Sequence, residues 1–134
     1  MNILFFLTPK SEVAYIYEDY TMRQALEKME YHRYSSIPII NKDGKYVGTI
    51  TEGDLLWTIK NELSLDLRAI EDIPITDVKR RKDNRPVSID ANIEDLISKS
   101  MNQSFVPVVD DKDTFIGIIK RRDIIEYCYD KIKA

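Results

Sequence analysis

A chain of 134 residues is the size of one ordinary domain or of two small units that share a core. Its 43% hydrophobic and 32% charged residues exclude a disordered polar tail, its net charge of −3 argues against a nucleic-acid polymer as partner, and its single cysteine, Cys128, excludes an internal disulfide. The apolar opening Ile3-Leu4-Phe5-Phe6-Leu7 is too short to span a bilayer and lacks a basic n-region and a cleavage site, so no membrane is expected and the chain reads as cytoplasmic.

In chain order, Val13 to Tyr17 reads as a short strand. Thr21-Met22-Arg23-Gln24 supplies a Thr-x-x-Gln capping box ahead of Met22, Ala25, Leu26 and Met29 at helical spacing, so a first helix is expected to about His32. Ile37-Pro38-Ile39-Ile40 is an apolar strand entered through a proline, Asn41-Lys42-Asp43-Gly44 is turn chemistry, and Lys45 to Ile50 returns as a second strand. From Thr51 the spacing of Leu55, Leu56, Ile59 and Leu63 predicts another helix. Asn61 to Asp77, with Pro74 inside it, reads as a connector, part helix and part extended.

The same order then recurs. Pro86 to Ile89 is the opening strand, and Asn92 caps a helix carrying Ile93, Leu96 and Ile97. Phe105 to Val109 and Thr114 to Ile119 form a hairpin across Asp110-Asp111-Lys112-Asp113, and Ile124, Ile125 and Cys128 lie on a closing helix, where core packing is the expected role of the cysteine. Gly48 and Gly117, Asp54 and Asp123, and Pro38 and Pro107 are each 69 positions apart along the sequence. The chain is therefore two copies of one strand, helix, strand, strand, helix unit, an α/β (α+β) fold, with repeats at 1–67 and 68–134.

These residues resemble the CBS-domain family in its paired form, the Bateman module. Each copy holds an Ile/Val-Pro-Ile/Val strand and a closing Gly-x-Ile-x-x-x-Asp pattern, read here as Gly48 to Asp54 and Gly117 to Asp123. The resemblance implies two βαββα units packed about a pseudo-twofold axis, an adenine nucleotide in a cleft between them, pairing of modules into a flat homodimer, and regulation of another, unidentified protein.

Carried onto this sequence, the family's phosphate-contacting hydroxyl falls on Thr51 and its ribose-binding carboxylate on Asp54. The chemistry fits, since a carboxylate accepts two bonds from a cis-diol and a hydroxyl beside a helix start favours phosphate. Thr51-x-x-Asp54 is equally a capping box. In the second copy Lys120 replaces the capping hydroxyl while Asp123 keeps its place, and Arg121 and Arg122 follow the lysine. Three cations at a helix start are repelled by the dipole unless an anion relieves them, which makes Lys120, Arg121 and Arg122 candidate phosphate ligands.

Lys10 and Arg81 precede the two opening strands at equivalent places and are further phosphate candidates; Arg81 sits in the run Lys79-Arg80-Arg81-Lys82. Ile39 and Val108, beside the strand prolines, are candidates to flank an adenine, although apolar strand residues are more commonly core. Tyr15, Tyr17, Tyr20, Tyr31 and Tyr34 are read as packing or dimer surface, with base stacking the sharper option.

No residues are assigned to catalysis or to a metal. His32 and Cys128 have nothing to place them together, no cluster has ligand spacing, and no glycine-rich loop precedes a lysine. The chain is read as a sensor of AMP, ADP or ATP with no cofactor of its own. A cyclic di-AMP receptor and a ligand-free interaction module are the alternatives, the last favoured if Thr51 and Asp54 satisfy each other as caps.

Overall fold

The computed structural model describes residues 2–81 and 83–134. Strands β1 (Thr8–Pro9) and β2 (Ile16–Tyr17) precede helix α1 (Met22–His32), strands β3 (Ser36–Ile40) and β4 (Tyr46–Thr51) and helix α2 (Glu52–Glu62). Strand β5 (Val87–Ser88), helix α3 (Ile93–Ser100), strands β6 (Phe105–Val109) and β7 (Phe115–Lys120) and helix α4 (Arg121–Lys133) follow. The fold is mixed α/β, and the strand, helix, strand, strand, helix order is present twice.

Local chemistry sets the boundaries. The Thr21 hydroxyl accepts from the Gln24 N–H and the Gln24 side chain accepts from the Thr21 N–H, closing the box that starts α1. Arg33 ends that helix in the left-handed conformation, φ 57°. The opening strands are shorter than their apolar runs. The Val13 amide is spent closing a 3-10 turn on the Lys10 carbonyl, and Pro86 has no N–H to give, so only Ile16–Tyr17 and Val87–Ser88 enter ladders. The connector resolves into 3-10 turns at Leu67–Glu71 and Ile75–Asp77.

The chain forms two compact units that do not follow chain order strictly. One comprises Ala14–Asp43 and Val47–Asp83; the other comprises Met1–Val13, Gly44–Tyr46 and Asn84–Ala134. In the first, β2 pairs in parallel with β3, which neighbours β4. Its core gathers Ile16, Met22, Ala25 and Met29 with Ile37, Ile39, Ile50, Leu55 and Ile75. In the second, the sheet order is β1-β7-β6-β5, with β5 and β6 parallel. Val87, Leu96, Val106, Val108, Ile119 and Ile124 form its core, joined by Ile3 and Phe6 from the N-terminus, and Cys128 packs against the cluster half-buried.

The N-terminal residues therefore serve the second copy. Ile3–Phe6 is a 3-10 turn, and β1 runs antiparallel to β7, pairing Thr8 with Ile118 and Pro9 with Gly117. Gly117 is required there: its φ is +153°, and a Cβ would lie 2.2 Å from the Thr8 carbonyl oxygen. Gly48, in the other unit, makes room for side chains instead: a Cβ would lie 2.7 Å from both Arg80 Nε and Asp83 Oδ1. The paired glycines mark the two places where atoms from another segment come close to the strand that leads into the last helix of a repeat.

Candidate ligand site

The junction of β4 and α2 is built by its sequence. Gly48 admits the Arg80 and Asp83 side chains against the strand, and Thr51, extended, caps the helix that Asp54 enters at its third position. The Thr51 hydroxyl accepts from the Asp54 N–H at 3.1 Å, and Asp54 Oδ2 accepts from the Thr51 N–H at 3.0 Å. The capping box is thus closed. Asp54 does more: its Oδ1 accepts from the Arg81 N–H at 3.0 Å, and the residue is only 3% exposed. The carboxylate meets the helix N-terminus, where its charge is favoured, with a backbone N–H on each oxygen.

Arg80, Arg81 and Asp83 meet the same junction. Asp83 Oδ1 accepts from the Thr49 N–H at 2.8 Å, and both Asp83 oxygens accept from Arg80 Nε at 3.0 Å. The Arg81 guanidinium lies over the Trp57 ring, 5.9 Å from its centroid. Thr51, Asp54 and Arg81 are therefore brought together, and Arg80, Asp83 and Trp57 complete the cluster. Lys82, the last of the basic run, lies outside the described residues. Asp83 and Trp57 were not among the candidates from sequence. Trp57 had a signal available, since it follows Asp54 by three on one helix face; Asp83 had none, because its partner Thr49 is distant in sequence.

The second junction is built differently. Lys120 takes the cap position of α4 with no side-chain bond to the helix. Arg121 donates its N–H to the Ser104 carbonyl and its Nε to the Gln103 carbonyl at 3.0 Å, so part of its fork is committed to the backbone. Lys120 and Arg122 are exposed and Asp123 is half-buried. Asp123 lines a hollow of about 450 Å³ together with Phe5, Thr8, Tyr127 and Lys131, and Lys10 sits in the 3-10 turn Lys10–Glu12. Gln103 and Asn84 form a buried polar clamp. Gln103 exchanges two bonds with the Arg85 backbone, and both side chains donate to the Phe105 carbonyl.

Ile39 and Val108 are fully buried, each in the apolar cluster of its own unit. Of the tyrosines, Tyr20 and Tyr34 pack against a core while Tyr31 is exposed. Tyr15 meets Tyr17 edge-on with centroids 5.8 Å apart, and Lys28 Nζ lies 5.5 Å from the Tyr15 centroid and 5.8 Å from that of Tyr20. Burial, then the bond to Tyr17, pushes the Tyr15 hydroxyl above its ordinary range. Among the described residues no group of three or more His, Cys, Asp or Glu side chains could hold a metal ion, and no helix is long and apolar enough to cross a membrane.

The sequence profile of the CBS domain matches the chain twice, over residues 6–61 and 70–130. The Methanocaldococcus jannaschii protein MJ1426 is 25% identical, the alignment covering 83% of each chain. The next three curated relatives are longer, and the chain spans 49% or less of each. Among solved structures, the CbpB protein of Listeria monocytogenes in complex with c-di-AMP superposes with a TM-score of 0.83 at 24% identity, over 95% of this chain and 94% of that one. CBSX2 in complex with AMP superposes with a TM-score of 0.76 at 23% identity, over 99% and 98%.

Proposed function

The chain belongs to the CBS domain family, with two copies in tandem, and on that basis we propose that it is a regulatory module that binds AMP, ADP or ATP and signals to a separate protein. We assign the repeats to residues 1–67 and 68–134. The observation that carries the reading is the junction at the start of α2, where the Thr51 hydroxyl, the Asp54 carboxylate, a helix N-terminus and the Arg81 of a basic run converge. Each group suits one part of a nucleotide: the carboxylate a ribose cis-diol, the hydroxyl and helix end a phosphate, the guanidinium its remaining charge. Solved proteins of the same fold hold AMP and c-di-AMP, which supports a nucleotide as the ligand class. Lys120, Arg121, Arg122 and Asp123 are the proposed counterparts at the second junction, with Lys10 ahead of the opening strand of the first repeat. Binding shifts the population of one conformation of the module over another, and the partner reads that population.

Two observations favour other readings. The closed Thr51–Asp54 box is what a ligand-free interaction module needs. Cations at two separate places in the sequence, Lys79 to Arg81 and Lys120 to Arg122, suit the two phosphates of cyclic di-AMP. Calorimetry with AMP, ADP, ATP, cyclic di-AMP and adenosine separates the three. An adenine mononucleotide is expected to bind with a saturable heat, and Asp54→Asn is expected to weaken it by about 1.5–3 kcal/mol, the range for a hydrogen bond to a charged group. The melting temperature serves as folding control. Silence across the panel rejects a nucleotide ligand, and preference for the dinucleotide transfers the assignment to cyclic di-AMP.

A further inference from the structure

We propose that Arg80, Arg81 and Asp83 form a latch that closes over the Asp54 carboxylate and lifts when a ligand hydroxyl takes its place; this rests on reading the Thr51–Asp54 junction as the nucleotide site. Asp54 is nearly inaccessible, at 3% exposure, although it is the group best suited to a diol. One of its two N–H donors, that of Thr51, belongs to the cap of its own helix. The other, the Arg81 N–H, comes from outside that helix. Only the second is removable without unwinding α2.

The attachments of the segment have the character of a removable cover. Val78 before it and Asn84 after it are buried, whereas Lys79, Arg81 and Asp83 are exposed and Arg80 is half-buried. What holds the described residues between them is polar: Arg81 to Asp54, Arg80 to Asp83, Asp83 to the Thr49 N–H, and the Arg81 guanidinium on the Trp57 face. Asp54 and Thr49 are buried, but the latch side of each contact is exposed or half-buried, and polar contacts open to water on one side exchange more readily than buried apolar ones. A nucleotide offers an equivalent for each. Its ribose hydroxyl donates to Asp54 Oδ1 where the Arg81 N–H did, and its phosphate takes Arg80 and Arg81 from Asp83 and Trp57. The closed latch therefore lowers apparent affinity by the fraction of molecules that are open.

The test is Asp83→Ala in the full chain, which removes the partner of Arg80 and the acceptor for Thr49 while leaving Thr51, Asp54, Trp57 and Arg81 in place. The variant is expected to bind AMP three- to tenfold more tightly than the parent by calorimetry. Trp57 is the only tryptophan, so its emission reports the cover directly, and the ligand-free variant is expected to emit as the AMP-saturated parent does. Equal or weaker AMP binding with unchanged emission overturns the latch and leaves the nucleotide reading standing. If the parent binds none of AMP, ADP, ATP and cyclic di-AMP, the nucleotide reading fails, and the latch is judged by hydrogen exchange alone. The Arg81 amide is expected to exchange at least tenfold faster in Asp83→Ala, and unchanged protection there rejects the latch. Arg80→Met, which keeps the alkyl stem but loses the Nε donor, gives the same expectations should Asp83→Ala fail to fold.

Discussion

Asp110 stands at the turn between β6 and β7, where its Oδ1 accepts the N–H groups of Lys112 and Thr114, both at 2.9 Å. The Thr114 bond, then the Lys112 bond, holds its carboxyl below the ordinary value of 3.8. A carboxylate whose folded pKa is depressed stabilises the fold fully above its unfolded pKa and loses that contribution as pH falls through the folded one. Stability is therefore expected to decline on acidification below about pH 3.8, and Asp110→Asn is expected to flatten that limb of the profile. Urea denaturation at stepped pH checks it: parallel profiles for parent and variant reject the role. This residue was legible as turn chemistry, and Thr51 with Asp54 as a cap, because both are patterns within four residues. Asp83 and the Gln103–Asn84 clamp were not legible, because each polar partner lies many positions away and nothing in the local sequence names it.

At the scale of elements, the helices and hairpins followed from period and turn residues, while β1 did not. Two residues carry no alternation, and the apolar run before them gives no hint that it completes the core of the second copy. The glycine pair at 48 and 117 was visible as a repeat marker, yet its physical reason, room for a neighbouring segment, appears only with that neighbour in view. Gly117→Ala is expected to cost about 2–4 kcal/mol, since the Cβ meets the Thr8 carbonyl oxygen at 2.2 Å and the backbone is at φ +153°. Gly53→Ala is the matched contrast. It lies in the first turn of α2, where a Cβ would find only ordinary contacts, the nearest Trp57 Nε1 at 3.6 Å, and the gain in helix propensity makes it neutral or stabilising by up to about 1 kcal/mol. Denaturant midpoints for the two variants decide it, and equal losses would remove the close approach of β1 as the reason for glycine at 117.

For the whole molecule, the two repeats leave apolar helix surface that neither unit covers by itself. In one unit, α1 and α2 flank a groove of about 660 Å³ lined by Leu26, Met29, Leu55, Leu56 and Ile59 and edged by Glu30, Arg33 and Glu52; Leu56 is 53% exposed. In the other, α4 exposes Ile125, Tyr129 and Ile132. Apolar side chains rimmed by charges of both signs are the composition of a self-complementary interface, and isologous pairing is the commonest way a small soluble chain covers such a face. A homodimer is the expected state. Light scattering at micromolar concentration is expected to return twice the 15.7 kDa chain mass, and Leu56→Glu, which sets a charge on the groove at an exposed position, is expected to return the single-chain mass with its melting transition intact. A parent that scatters as one 15.7 kDa chain rejects pairing of these faces between two copies.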